Sequence, residues 1–128
     1  MMILNFDGHP PVPLSSFRPG HGPRSMGSTK RVRTAIDAAL ADVDWSNPGH
    51  GILDDHGAPY LDIDLGGSEN APQLEGFVIH IRGPRGAAEL IAHLCLVNGW
   101  AALDCACGAF LDLEKPERWG SSRSAAQA

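Results

Sequence analysis

The residues whose side chains could do chemistry gather in three stretches. In "GWAALDCACGAFLDL" (99–113) two of the three cysteines, Cys105 and Cys107, stand one residue apart. A soft metal held with Cys95 or a histidine is one reading. Structural zinc sites, however, use a C-x2-C knuckle with a second pair of ligands, and no second pair is present. A β-hairpin fits the stretch better. Ala101, Leu103 and Cys105 share a face opposite Ala102, Asp104 and Ala106, and Gly108 suits a turn near Cys107-Gly108, where positive φ is cheap. Strands are expected over 100–106 and 109–113, with Cys105 buried as a small hydrophobe and no metal bound.

The second stretch, "HGILDDH", sets His50 and His56 around Asp54 and Asp55. Metalloprotease ligation wants two histidines at i and i+4 on a helix with a glutamate between them, and this spacing differs, so the run reads as a hydrated acidic loop. The third stretch centres on His80. It shares its outward strand phase with Asp62 and Asp64 on a neighbouring strand and with Asp104 on another. A histidine beside carboxylates can do acid–base work, or it can form a half-exposed cross-strand pair. After Arg82, the run "RGPRG" leads into a helix whose first amides could attract an anion, but no phosphate-loop pattern accompanies it. Trp45, Trp100 and Trp119 read as anchors at the core or its edge, the last docking the C-terminal segment.

Two helices and five strands must position these groups. Ser28 caps a helix whose apolar stripe is Val32, Ala35, Ile36, Ala39, Leu40 and Val43, ending near Asp44. Loop residues then surround a short strand at 51–54. "YLDIDLGG" turns Leu61, Ile63 and Leu65 inward and Tyr60, Asp62 and Asp64 outward, and "EGFVIHIRG" does the same with Phe77, Ile79 and Ile81 against Val78, His80 and Arg82. A second helix opens at Pro84 and closes at Gly99, with Ala87, Leu90, Ile91, Leu94 and Val97 as its stripe. The expected order is α-β-β-β-α-β-β. This is an α+β fold with both helices on one face of a mainly antiparallel sheet.

With 128 residues the chain suits a single domain, expected over 28–115. Residues 1–27 hold five prolines and four glycines and read as a flexible tail, or as an extension upstream of a start at Met26. Residues 116–128, rich in Ser and Ala, read as a second tail. The short apolar start lacks a basic region of the kind that opens a secretory signal. Apolar runs fall far short of the roughly 20 residues that span a bilayer. A cytoplasmic protein with no membrane partner is the expectation.

Net charge is −5 with a pI near 5.6, which argues against nucleic acid as a partner. The acidity is concentrated. Residues 34–114 carry thirteen of the fifteen acidic side chains against Arg82 and Arg85 alone, a local net charge of −11. A field that one-sided serves solubility or steers a basic partner.

"VRTAIDAAL", "VDWSNPGHGIL", "GFVIHIRGP" and "GWAALDCACGAFLDL", spread over about residues 31–113, resemble a group of short proteins of GC-rich bacteria with no established activity. That group has polar turn residues and an acid where this chain has Ala106, Cys107 and Ala109, so Cys107 is a poor candidate for any shared role. In size, acidity and lack of a catalytic set the chain is also similar in type to bacterial immunity proteins, the intracellular inhibitors of antibacterial toxins. The similarity implies a small module that binds a basic, nuclease-like toxin. The candidate contact residues are Tyr60, Asp62, Asp64, His80, Arg82 and Asp104, with no cofactor. The alternatives are a small hydrolase or transferase using His80 with nearby carboxylates, which needs a concave site, and an oligomer subunit, which needs exposed apolar surface.

Overall fold

The structure, a computed structural model, describes residues 1–6, 24–47, 49–54, 59–66, 73–83, 85–106 and 108–119. Its elements are β1 (Met2–Asn5), α1 (Thr29–Ala39), β2 (Asp44–Asn47), β3 (His50–Asp54), β4 (Tyr60–Asp64), β5 (Gly76–Gly83), α2 (Ala87–Asn98), β6 (Trp100–Asp104) and β7 (Ala109–Phe110). The strands form one sheet in the order β2-β3-β4-β5-β1-β6-β7, and every neighbouring pair is antiparallel. The fold is α+β as expected, with a larger sheet. The added strands are β1 and β2.

The position of β1 matters most. The reading of 1–27 as a tail does not hold for its first residues, because Met2–Asn5 lies in the sheet interior between β5 and β6. Ile3 pairs with Phe77 on one side and Ala102 on the other and is fully buried. A four-residue strand is too short to show alternation, and the prolines and glycines that follow dominate its composition. Close approach is possible because Gly76 stands opposite Leu4. A Cβ there would lie 2.8 Å from Leu4 Cδ2 and 2.9 Å from the Ile3 carbonyl oxygen. Since β5 and β6 both run antiparallel to β1, they are parallel to each other. Helix α2 crosses between them, making a βαβ unit split by β1.

Local signals explain the helices. The Ser28 hydroxyl accepts the Arg31 N–H at 3.2 Å and caps α1, whose Val32 and Ile36 reach the core. The helix ends at Ala39, before Asp44, because Leu40 is extended and Asp42 adopts a left-handed φ of 65° that redirects the chain into β2. In α2, Gly99 is the left-handed C-cap at φ 69°, its N–H bonded to the Cys95 carbonyl. Helix α2 begins at Ala87, and Pro84 lies outside the described residues. Val97, expected on the buried stripe, is 58% exposed, whereas Cys95 is fully buried.

Both helices cover one sheet face. Val32, Ile36, Ile91, Leu94 and Cys95 pack there with Ile3, Leu61, Ile63, Phe77, Ile79, Trp100 and Ala102, and the Phe77 and Trp100 rings meet edge to face at 5.7 Å. A smaller cluster of Leu4, Phe6 and Ala101, flanked by Met2 and Phe110, occupies the opposite face over β1 and β6. This reverses the expected phase of β6. Trp100 and Ala102 face the helices and Ala101 faces away, because a strand that is apolar on both faces carries no alternation to read. The hairpin strands are also shorter than expected. Cys105 lies in the turn after β6 and is exposed, and Cys107 is outside the described residues.

Residues 116–119 are not part of a loose tail. The Trp119 N–H bonds the Pro116 carbonyl at 3.1 Å, and the indole packs against the core. Residues 24–27 of the expected first tail are also held, with the Arg24 N–H donating to the Asn5 carbonyl, the Met26 N–H donating to the Leu74 carbonyl and Met26 buried in the core, whereas 7–23 and 120–128 lie outside the described residues.

Replacing Ile3 by Ala should lower unfolding stability by about 2–5 kcal/mol, the usual range for a fully buried isoleucine. Urea denaturation followed by tryptophan fluorescence measures it. An unchanged midpoint would mean that β1 is not a core strand.

Candidate functional site

The face away from the helices is divided. Over β1, β6 and β7 it is apolar, and over β2 to β5 it is polar, because alternate residues of four successive strands point the same way. Asp44 on β2, His50, Ile52 and Asp54 on β3, Tyr60, Asp62 and Asp64 on β4, and Val78, His80 and Arg82 on β5 share this polar half.

Asp62 is its hub. The register sets it between Ile52 on β3 and His80 on β5. Its Oδ1 accepts from His50 Nε2, a diagonal contact across β3 and β4, and its Oδ2 lies 3.6 Å from Arg82 Nη2. The Asp62 side chain is only 13% exposed, against 38% for His50 and 69% for Arg82. The half-buried pair therefore ties two strands together, while the arginine contact is solvated and worth little. The remaining members stand apart. Asp64 is exposed and accepts the Gly66 N–H at 2.8 Å, a local turn that fixes the carboxylate at the strand end. His80 is exposed, and Tyr60 is half-buried beside a register shift.

Asp104 does not join this face. It is buried on the helix side of the sheet, where it accepts the Trp119 Nε1–H at 2.8 Å and the Ala106 N–H at 2.9 Å. Its role is to clamp the returning C-terminal segment. The sequence-based placement failed because the phase of β6 is inverted.

His50 was overlooked for a different reason. The strand expected over 51–54 is present as β3 but begins one residue earlier, so His50, read as part of the preceding loop, is a strand residue; the missing side chain of Gly51 is replaced from the neighbouring strand. A Cβ at Gly51 would fall 2.8 Å from both Trp45 Cε3 and Val43 Cγ1, so the indole lies over the glycine. Trp45 is held in turn from α1, with its Nε1–H donating to Asp37 at 2.7 Å and the Arg33 guanidinium stacked 4.9 Å from its ring centroid.

The described clefts reach the polar face only at its edge, at Asp54. One cleft of about 580 Å³ lies between the end of α1 and the start of α2, another of about 320 Å³ lies between α2 and Trp119, and a third of about 150 Å³ lies beside Asp104 and Phe110. Tyr60, Asp62, Asp64, His80 and Arg82 line none of them. The oxygens of Asp62 are directed at His50 and Arg82, so the pairing that acid–base chemistry at His80 would use is not made. Among the described residues no group of three His, Cys, Asp or Glu side chains is placed to hold a metal ion. The buried Cys95 thiol is pushed up to about 12 by desolvation, which keeps it protonated and unreactive at neutral pH. Among the described residues no helix is long and apolar enough to cross a membrane.

Comparison of the chain with protein-family models, with curated proteins and with solved structures returns no match.

A double-mutant cycle of His50→Ala with Asp62→Ala should give a coupling of about 0.5–1 kcal/mol in urea denaturation, the size expected of a contacting pair. The same cycle with Arg82→Ala should give a much smaller coupling. Equal couplings, or none for His50, would contradict Asp62 as the hub of the face.

Proposed function

We propose that this protein is a small acidic binding module of the cytoplasm whose open sheet face engages a basic protein, as an immunity-type inhibitor of a nuclease-like toxin. One observation carries the reading. The polar half of that face presents Asp44, Asp54, Asp62 and Asp64 on three adjacent strands with Arg82 among them, and of these residues only Asp54, at its edge, lines a described cleft. A rigid, acidic surface whose central residues line none of the described clefts is suited to another protein's surface. A small substrate needs a concavity.

The electrostatics favour a basic partner in two ways. Exposed carboxylates at Asp44 and Asp64 act at long range and speed encounter, and the fixed strand spacing makes the charge pattern selective. A nuclease must attract phosphates, so it carries the complementary positive surface around its own site. Asp62, already engaged by His50 and Arg82, serves the face by holding those side chains in place.

Affinity capture from the source organism with a cross-linkable form of the protein should return a basic partner. Asp44→Lys combined with Asp64→Lys should slow association with that partner about tenfold or more at low salt, within the range of electrostatic steering. Association rates measured by surface plasmon resonance decide it. A partner bound equally well by the reversed variant, or capture of no basic protein, would overturn the proposal.

A further inference from the structure

One transverse row of the sheet changes character along its length. The register aligns His50 on β3, Asp64 on β4, Val78 on β5, Met2 on β1, Leu103 on β6 and Phe110 on β7, all on the open face. The first two are polar and belong to the acidic half. The last four are apolar, and each keeps part of its surface exposed. Directly opposed residues of antiparallel strands stand about 5 Å apart, so the four form one continuous apolar row. It is firmly backed, because Met2 and Phe110 pack against the buried Leu4, Phe6 and Ala101, and the Phe110 ring meets that of Phe6 edge to face at 5.8 Å.

We infer that this apolar row is where the basic partner is held, so that the partner presents apolar side chains flanked on one side by lysine or arginine; the inference rests on the basic partner proposed above. Four half-buried side chains fall well short of the roughly 800 Å² that each side of a stable interface contributes, so the row does not hold a partner unaided. The surface that continues it is the acidic half, joined to the row at the Asp64–Val78 pair. That junction selects the occupant. A second copy of this chain could match the row, but it would bring up a second acidic half, and like charges across an interface are costly. A partner with basic side chains beside its apolar ones meets both parts. The two halves then do different work. Exposed carboxylates act at a distance and set the rate of encounter, whereas apolar contacts form only on docking, exclude water and set the rate of escape.

The test needs no captured partner. Two octapeptides of equal charge, one alternating leucine with lysine and the other alternating serine with lysine, are titrated into the methyl-labelled full chain and followed by NMR. The leucine peptide should give saturable shifts at the Met2, Val78 and Leu103 methyls and bind about fivefold or more tightly than the serine peptide. Val78→Thr with Leu103→Thr, which keeps side chains suited to a strand, should remove that advantage and leave the serine peptide unaffected. If that variant loses its dispersed spectrum, Phe110→Ser on the two-residue strand β7 should lower the affinity of the leucine peptide about threefold or more with the serine peptide unchanged. Equal affinities, shifts confined to the acidic half, or an advantage that survives the substitutions overturns the inference. So does a dimer in analytical ultracentrifugation that Val78→Thr with Leu103→Thr dissociates, because the row is then occupied by a second copy. None of these outcomes alters the association-rate result for Asp44→Lys with Asp64→Lys, which reads the acidic half alone, and an indifferent charge reversal there leaves the comparison of the two peptides unaltered.

Discussion

The backbone pairing of Met2–Asn5 with two strands at once is the constraint on which the rest of the structure depends. Without β1, the strands β5 and β6 would border a gap, and the sheet would split into a four-stranded meander and a short hairpin. With it, seven strands share one surface, and α2 can return across that surface to pack beside α1. The insertion is reinforced locally. The Ile79 N–H donates to the Met1 carbonyl at 2.8 Å, and Gly76 leaves room for Leu4 where any side chain would collide with it.

From that insertion follows the division of the open face. The β1 side is lined by Leu4, Phe6 and Ala101, and the β2 to β5 side by alternating carboxylates and histidines. Charge then acts differently according to burial. Asp104, buried, works through two directed hydrogen bonds that secure Trp119 and the turn after β6. Asp44 and Asp64, exposed, hold little together and project a field. Asp62 lies between these extremes, shielded enough to tie β3 to β4 through His50 and exposed enough to keep Arg82 beside it.

What the sequence made legible follows where burial is one-sided. The alternation in β4 and β5 placed Leu61, Ile63, Phe77 and Ile79 inward and Asp62 and His80 outward correctly, because those strands have a dry face and a wet one. The helix caps at Ser28 and Gly99 were legible for a similar reason, since each is a local chemical requirement. The misses share a cause in tertiary structure. β1 is too short for a pattern, β6 is apolar on both faces, and β3, expected over 51–54, gains His50 only by pairing with β2 and β4. As a result Asp104 was assigned to the wrong face and Cys105 to the core, while His50, which contacts Asp62 directly, was assigned to a loop.

Amide hydrogen exchange of the full chain, resolved residue by residue by NMR, tests the central role of β1 most directly. If β1 is an integral strand, the amides of Ile3 and Leu4 exchange only through global unfolding, with protection equal to that of Ile63 and Ile79. Exchange of Ile3 and Leu4 near the rate of an unstructured chain, while β4 and β5 remain protected, would contradict the account.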